Sequence, residues 1–181
     1  MTGFEIDDFA LSLLEESKRF LEKVEDHGDH FANEAYLHSA LLLAFSSLEA
    51  QVNAIAEEFV ARPELSVHEK GMILEQEVRL ENGEFVRRPV LRMARLEDRI
   101  SFLYVKFGRS IDRSMPHWSR LADAVILRNQ LTHPKEKVTL TKAGVGRAIQ
   151  AVVDTLDAMC QAIYKRPFPA AGRGLQSSLS F

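Results

Sequence analysis

The sequence predicts an all-α fold, namely an antiparallel helical bundle of about five to six helices with a small β-hairpin insertion. Three observations lead to this prediction. Apolar residues recur at steps of three and four along most of the chain, which gathers them on one side of each helix. The step shortens to two around one Asn-Gly pair, a dipeptide that favours a tight hairpin turn. Nine Gly and six Pro among 181 residues are too few for a turn-rich all-β fold.

The helical pattern extends over residues 1–165, which we assign to one domain because 181 residues with 46% hydrophobic content suit a single core. Residues 166–181, with the sequence RPFPAAGRGLQSSLSF, mix Pro, Gly and Ser without a period. We therefore expect a flexible C-terminal tail.

Two long helices open the chain. The first covers residues 4–26 and ends at His27–Asp29, where Gly favours the left-handed backbone of a helix C-terminus. Its expected core residues are Ile6, Phe9, Leu13, Phe20 and Val24. The second helix covers residues 31–61 and ends before Pro63. Its expected seam, suited to packing along a partner helix, is Leu41, Phe45, Leu48, Val52, Ile55 and Phe59.

A short helix and the hairpin follow. Ser66 and Glu69 have the spacing of a capping box, in which each side chain accepts a hydrogen bond from a free backbone N–H at a helix start. Residues 77–88 alternate apolar and polar side chains around Asn82-Gly83, which predicts the two-stranded insertion. We expect Pro89 to end the hairpin, and we expect the hairpin to lean on the helices because an isolated one is marginal in water.

Three further helices complete the prediction. The first covers residues 90–107. The next begins at Met115-Pro116 and ends at His133, because Pro suits a first helical turn and Pro134 disfavours helical geometry in the residue before it. Thr141 caps the last helix. The expected core residues of the three helices are Leu96, Ile100, Leu103 and Phe107, then Trp118, Leu121, Val125 and Leu127, then Val145, Ile149, Val152, Leu156, Met159 and Ile163.

Composition excludes several classes of function. A net charge of -3 excludes a globally basic nucleic-acid-binding protein. The longest apolar run, Ala40–Phe45, is far shorter than the ~20 residues of a membrane-spanning helix, so no membrane association is expected. Cys160 is the only cysteine, which excludes an internal disulfide and a cysteine-based zinc site. No nucleotide-binding loop, paired metal-ligand spacing or secretion signal is present, so we expect no cofactor, no metal and a cytoplasmic location.

Charge is divided along the chain. Residues 1–65 carry 14 acidic and 4 basic side chains, whereas residues 86–120 carry 9 basic and 3 acidic ones. The bases of the second segment are Arg87, Arg88, Arg92, Arg95, Arg99, Lys106, Arg109, Arg113 and Arg120. They predict a basic strip that faces phosphates. In the alternative interpretation, acidic helices of the first half pair with basic helices of the second half, since charge runs are usually solvated faces.

The stretch that leads into Pro134 carries the strongest candidates for chemistry. Arg128 and Asn129 interrupt an apolar helix, and such a pair needs either a partner or a solvent-filled cleft. On a regular helix, Arg128 and His133 lie about 140° apart around the axis and about 7.5 Å apart along it. They meet only if the proline frees the imidazole and the long Arg side chain reaches around. Alternatively, Arg128 pairs with an acid of the second helix such as Glu49, and His133 merely ends its own helix.

The segment Arg128–His133, with the sequence RNQLTH, resembles the Arg-polar-x-x-x-His signature of HEPN domains. These are small helical bundles found in prokaryotic toxin–antitoxin, abortive-infection and CRISPR ribonucleases. Residues Leu42–Ala50 are similar to the second-helix pattern of the family, and helix order agrees over residues 5–165. The resemblance implies a HEPN-like helical domain over residues 1–165.

The resemblance also implies a metal-independent RNA endonuclease that works as a homodimer, with two such motifs lining one shared cleft. His133 would then take a proton from a ribose 2′-hydroxyl, and Arg128 would clamp the attacked phosphate. Asn129 would orient the phosphate or the imidazole, and Glu49 would support the site. The product is a 2′,3′-cyclic phosphate, so DNA, which lacks the 2′-hydroxyl, is not cut.

Weaker contacts to the RNA backbone are expected from Arg92, Arg95, Arg99 and Lys135. The resemblance also allows an antitoxin protein as a partner. Toxins modified by a nucleotidyltransferase partner carry a Tyr where this chain has Lys135, so that route of control is not expected here. Many HEPN domains keep the fold without cleaving RNA, and the alternative prediction is a non-catalytic HEPN dimerisation or RNA-binding module.

Overall fold

The structure, a computed structural model, describes residues 3–25, 28–111 and 115–181, with side chains from residue 8 onward. Within these ranges the chain forms six α-helices and one two-stranded antiparallel sheet, which confirms a helical fold with a β-hairpin. The elements are α1 (Gly3–Glu22), α2 (His30–Phe59), α3 (Val67–Ile73), β1 (Gln76–Glu81), β2 (Glu84–Leu91), α4 (Leu96–Phe107), α5 (Pro116–Thr132), α6 (Lys142–Tyr164) and a 3-10 turn (Ala171–Arg173). His27, Arg113 and the side chain of Ile6 lie outside the described residues.

The buried side of α2 follows the predicted seam. All six seam residues are at most 8% exposed. Of the described helices, only α2 is long and apolar enough to cross a membrane by length and composition. However, 61% of its apolar window is buried inside the protein, as in the core helix of a soluble protein. The other long helices α1, α5 and α6 all contact this helix.

The buried face of α1 differs from the predicted one, because Phe9 is 57% exposed. The described side chains that α1 buries are Ala10, Leu14, Glu15, Ser17, Lys18 and Leu21. Small residues explain the difference, since they let two helices approach closely. The hydroxyl of Ser17 donates to the carbonyl of Ala40 at 2.7 Å, and the hydroxyl of Ser47 donates to the carbonyl of Ala10 at 2.7 Å. The earlier residue of α1, Ala10, pairs with the later residue of α2, Ser47. The two helices therefore run antiparallel.

The hairpin turns at Asn82-Gly83 as predicted, with positive φ angles of 51° and 87° at the two residues. The expectation that Pro89 ends the hairpin is wrong, because β2 continues to Leu91. The register shifts between Gln76 and Glu77, whose partners on β2 are three residues apart. Pro89 therefore lies in a bulge. Residues in a bulge are not paired with the opposite strand, so the absence of an N–H on Pro89 costs no hydrogen bond between the strands. The helix predicted over residues 90–107 accordingly begins later, at the start of α4.

Arg99 of α4 joins α2 to the end of α3 and to Glu75, the residue that precedes the hairpin. The side chain of Arg99 is 3% exposed. The guanidinium donates to the carbonyl of Ile73 at 2.7 Å, to the side chain of Asn53 at 2.6 Å and to the carboxylate of Glu75 at 3.0 Å. Burial lowers the pKa of the Arg99 guanidinium from its ordinary value, and Glu75 opposes that shift. One buried side chain thus joins α2, the end of α3 and α4.

The predicted capping box begins α3. The backbone N–H of Ser66 donates to the carboxylate of Glu69 at 2.7 Å, and the N–H of Glu69 donates to the Ser66 hydroxyl at 3.2 Å. Lys106 of α4 donates to the same carboxylate at 2.9 Å. These bonds, that of Lys106 first, lower the pKa of Glu69 from 4.5 to about 2.

Residues 166–181 fold back against α1 and α6. Phe168 is buried, and its N–H donates to Asp157 at 2.8 Å. Further along, the N–H of Ser178 donates to the carboxylate of Glu15 at 2.6 Å. These contacts give the segment defined partners, whereas its flexibility in solution stays a prediction.

We expect Arg99→Ala to lower the free energy of unfolding by about 3 kcal/mol, because the carbonyl of Ile73, the side chain of Asn53 and the carboxylate of Glu75 all lose a buried charged donor. Arg95→Ala is the control, because Arg95 is 76% exposed and its loss should change stability by less than about 1 kcal/mol. Urea unfolding followed by circular dichroism measures both. Equal effects of the two substitutions would contradict the role of Arg99.

We expect Glu69 to make stability depend on pH. Since its folded pKa of about 2 lies below the ordinary 4.5, ionised Glu69 stabilises the fold above about pH 4.5, and this contribution is lost as the pH falls towards 2. The stability difference between wild type and Glu69→Gln should therefore shrink between about pH 7 and about pH 3. Glu64→Gln, at an exposed acid, should show no such trend in the same urea series.

Candidate functional site

The C-terminal end of α5 carries the predicted catalytic residues. Ala124 and Val125 are buried and hold this part of the helix against the core. The helix ends before Pro134 as predicted, and His133 is its C-cap. The backbone N–H of His133 donates to the carbonyl of Asn129 at 2.9 Å. His133 itself is exposed to solvent.

Arg128 reaches across to α2. One terminal nitrogen forms an ion pair with the carboxylate of Glu49, and the other donates to the side-chain oxygen of Asn129 at 3.2 Å. The guanidinium carbon lies 5.2 Å from the centre of the Phe45 ring. The side chains of Arg128 and Glu49 are 22% and 45% exposed. Solvent, or a ligand from solvent, can therefore reach this ion pair.

Two clefts meet at Asn129. The first has a volume of about 620 Å³, and His133 and Lys135 line it. The second has a volume of about 270 Å³, and Arg128 and Glu49 line it. Asn129 lines both clefts, so the guanidinium and the imidazole lie in neighbouring spaces. No hydrogen bond joins Arg128 to His133 within the described residues.

The observed contacts bear on the two interpretations of Arg128. Its ion pair with Glu49, and the C-cap position of His133, are what the structural alternative predicts. The guanidinium does not reach around to the imidazole of its own chain but contacts α2. Catalytic roles for Arg128, Asn129 and His133, and a supporting role for Glu49, stay predictions.

Three of the four residues expected to bind the RNA backbone are accessible. Arg92, Arg95 and Lys135 are exposed. The prediction for Arg99 is wrong, because its guanidinium is buried and its donors are engaged inside the protein. Arg99 lies on the same side of α4 as the buried Leu96 and Leu103, so it faces α2 and α3 rather than solvent.

Acids neutralise much of the basic strip. Arg88 pairs with Glu81, and Arg120 lies 3.6 Å from Asp154. The pairs that join an acid of the first 75 residues to a base of the second half are Glu15–Arg173, Glu34–Lys137, Glu49–Arg128, Glu69–Lys106 and Glu75–Arg99. These pairs are the arrangement that the alternative interpretation of the charge division predicts.

Glu75 holds a loop beside the Arg128 cleft, a role that sequence reasoning missed. Its carbonyl accepts a hydrogen bond from the N–H of Arg92 at 2.8 Å, and its carboxylate accepts one from the N–H of Ala94 at 3.1 Å. Between them, Met93 is 81% exposed and lines the cleft. No sequence pattern marks Glu75, because its contacts depend on how the hairpin meets α4.

A buried imidazole at the other end of α5 was also missed. His117 is 9% exposed, and its Nε2 has no hydrogen-bond partner among the described residues. Burial lowers its pKa, although Asp154 opposes the shift. His117 lies sixteen residues before His133, or about 24 Å along the helix axis. It is therefore not a second acid or base for the clefts at Asn129.

Among the described residues, no group of three or more His, Cys, Asp or Glu side chains is arranged to hold a metal ion. Comparison of the chain with protein-family models, with curated proteins and with solved structures finds no match.

We expect Glu49→Gln to change the free energy of unfolding by less than about 1 kcal/mol, because a solvent-accessible ion pair contributes little to stability. The measurement is urea unfolding at neutral pH beside Arg99→Ala. A decrease in the free energy of unfolding as large as that of Arg99→Ala would mean that the Arg128–Glu49 ion pair stabilises the fold and is not readily displaced by a ligand.

Proposed function

We propose that this protein is a metal-independent RNA endonuclease of HEPN type, built as an antiparallel helical bundle. The observation that carries the proposal is the meeting of two solvent-accessible clefts at Asn129, one lined by His133 and the other by Arg128. A single-stranded RNA backbone that crosses Asn129 would present a phosphate to the guanidinium and the neighbouring 2′-hydroxyl to the imidazole.

Each side chain has one chemical task in this proposal. The imidazole of His133 takes the proton of a ribose 2′-hydroxyl, and the resulting oxygen attacks the adjacent phosphorus. The bond from phosphorus to the 5′-oxygen breaks, that oxygen takes up a proton from water, and the protonated imidazole returns its proton to the solvent. The products are a 2′,3′-cyclic phosphate and a 5′-hydroxyl. Arg128 stabilises the negative charge that builds on the phosphate, and Asn129 orients it by hydrogen bonding.

Glu49 has a role that follows from its ion pair with Arg128. The carboxylate pairs with a guanidinium that lies over the ring of Phe45. A phosphate offers the same two-oxygen geometry as a carboxylate and can replace it. Because the pair is solvent-accessible, the replacement requires little rearrangement. Arg92, Arg95 and Lys135 are exposed and would hold the flanking backbone by contacts that weaken as salt rises.

The proposal includes a homodimer in the cytoplasm, with Arg128 and His133 of the two copies lining one shared cleft. Ile126 is 58% exposed and lines the His133 cleft, so a second copy seated on this cleft would cover it. A role as a toxin or phage-defence effector, with an antitoxin protein as partner, belongs to the same proposal.

A non-catalytic dimerising or RNA-binding module is the second candidate. The observation that favours it is the Arg128–Glu49 ion pair, which engages the guanidinium within one chain. In that case RNA binds to the basic surface without being cut, and the ion pair persists in the complex.

We expect the purified protein to cleave single-stranded RNA in the presence of EDTA and to leave 2′,3′-cyclic phosphate ends. His133→Ala should abolish cleavage, and Arg128→Ala should reduce it by about 100-fold or more, since charge stabilisation contributes at least that much to comparable reactions. His30→Ala is the matched control, because His30 is an exposed histidine on α2. An RNA with 2′-deoxyribose at the cut position should stay intact.

The two candidates differ in the outcome of this assay. Cleavage that survives His133→Ala would contradict the nuclease proposal. RNA binding with no cleavage by wild type, at a concentration where the protein is dimeric, would support the module. Circular dichroism of each variant establishes that lost cleavage does not come from unfolding.

A further inference from the structure

A separate cleft lies where α6 passes into the C-terminal segment, away from the end of α5. It has a volume of about 460 Å³, within the range of small-molecule sites. Four parts of the chain form its walls: α1, α2, α6 and the start of the C-terminal segment. We call it the α2–α6 cleft. Its apolar lining residues are Leu11, Ala54, Ile55, Phe168 and Pro169.

The polar side chains that line this cleft include two carboxylates, one phenol and one guanidinium. Glu57 and Glu58 of α2 line it together with Tyr164 and Arg166. The Tyr164 hydroxyl donates to the carboxylate of Glu58 at 2.5 Å. The guanidinium carbon of Arg166 lies 5.5 Å from the centre of the Tyr164 ring. The Arg166 guanidinium thus lies over a tyrosine ring whose hydroxyl is hydrogen-bonded to a carboxylate. Proteins bind organic cations over aromatic rings in the same way.

We propose that the α2–α6 cleft binds a small organic amine that combines one cationic group with an apolar body. The ammonium group would lie between the carboxylates of Glu57 and Glu58 and the ring of Tyr164, and would take the place of Arg166. The apolar body would lie against the half-buried Leu11 and the exposed Pro169, which line the cleft. This inference does not rest on the proposed nuclease function.

The charged and apolar side chains of the cleft favour an organic amine over other classes of ligand. Two carboxylates and one guanidinium line the cleft, and this excess of negative charge disfavours phosphates and RNA. Two acids are too few ligands for a hard divalent cation, which prefers six or more oxygens. A neutral apolar molecule would leave the carboxylates without a charged partner. An amine with an apolar body satisfies both the acidic rim and the apolar floor.

The test is titration of the full chain with 2-phenylethylamine by isothermal calorimetry. We expect binding at one site, and we expect Glu57→Gln and Glu58→Gln each to weaken it about tenfold, as for loss of a charge-assisted hydrogen bond. Glu64→Gln removes the same charge at an acid outside the cleft and should leave the affinity unchanged. The neutral analogue 2-phenylethanol should bind at least about tenfold more weakly.

Arg166→Ala provides an independent arm. Removing the cation that occupies the ring should raise the affinity for the amine several-fold. Arg62→Ala is the control, because Arg62 also lies over an aromatic ring, that of Phe59, 5.3 Å from its centre, but does not line the cleft. No binding by wild type, or equal effects of Glu57→Gln and Glu64→Gln, would overturn the proposal. If Glu58→Gln fails to fold, Glu57→Gln and Arg166→Ala decide it.

Discussion

Burial of one continuous side of α2 determines where the other elements can lie. Ser47 on one face brings α1 close enough for hydroxyl-to-carbonyl bonds. Asn53 receives the guanidinium of Arg99 from α4. Glu49, one turn earlier, receives Arg128 from α5. The Arg128 cleft and the α2–α6 cleft therefore both receive acidic side chains from α2, namely Glu49 in the first and Glu57 and Glu58 in the second.

Arg99 and Arg128 both contact polar side chains of α2 and both form an ion pair, but they have different physical roles because they differ in exposure. Arg99 is 3% exposed and has three kinds of protein partner, so its charge is part of the fold. Arg128 is 22% exposed and lies over a phenylalanine ring, with a partner acid that is itself half exposed. In a low-dielectric interior an ion pair resists exchange, whereas at a wet surface its partner can be replaced. The same residue type therefore serves structure at one position and is available to a ligand at the other.

The local features of the fold could be predicted from the sequence, because they depend on residues close together in the chain. The capping box at Ser66, the turn at Asn82-Gly83 and the helix end before Pro134 are of this kind. The buried face of α1 and the position of Arg99 could not be predicted, since each depends on which distant element packs there. The segment Arg128–His133 was found as a motif, but the contact that Arg128 makes with α2 was one of two open alternatives. Periodicity alone does not measure how closely two helices approach.

The proline in the bulge of β2 has a consequence for the behaviour of the protein in concentrated solution. A free strand edge is a template on which other chains can form intermolecular sheet. Pro89 removes one donor from the second strand, and the charged side chains of Arg79 and Arg88 stand on the same short ribbon. Growth of fibres from this ribbon is thereby discouraged.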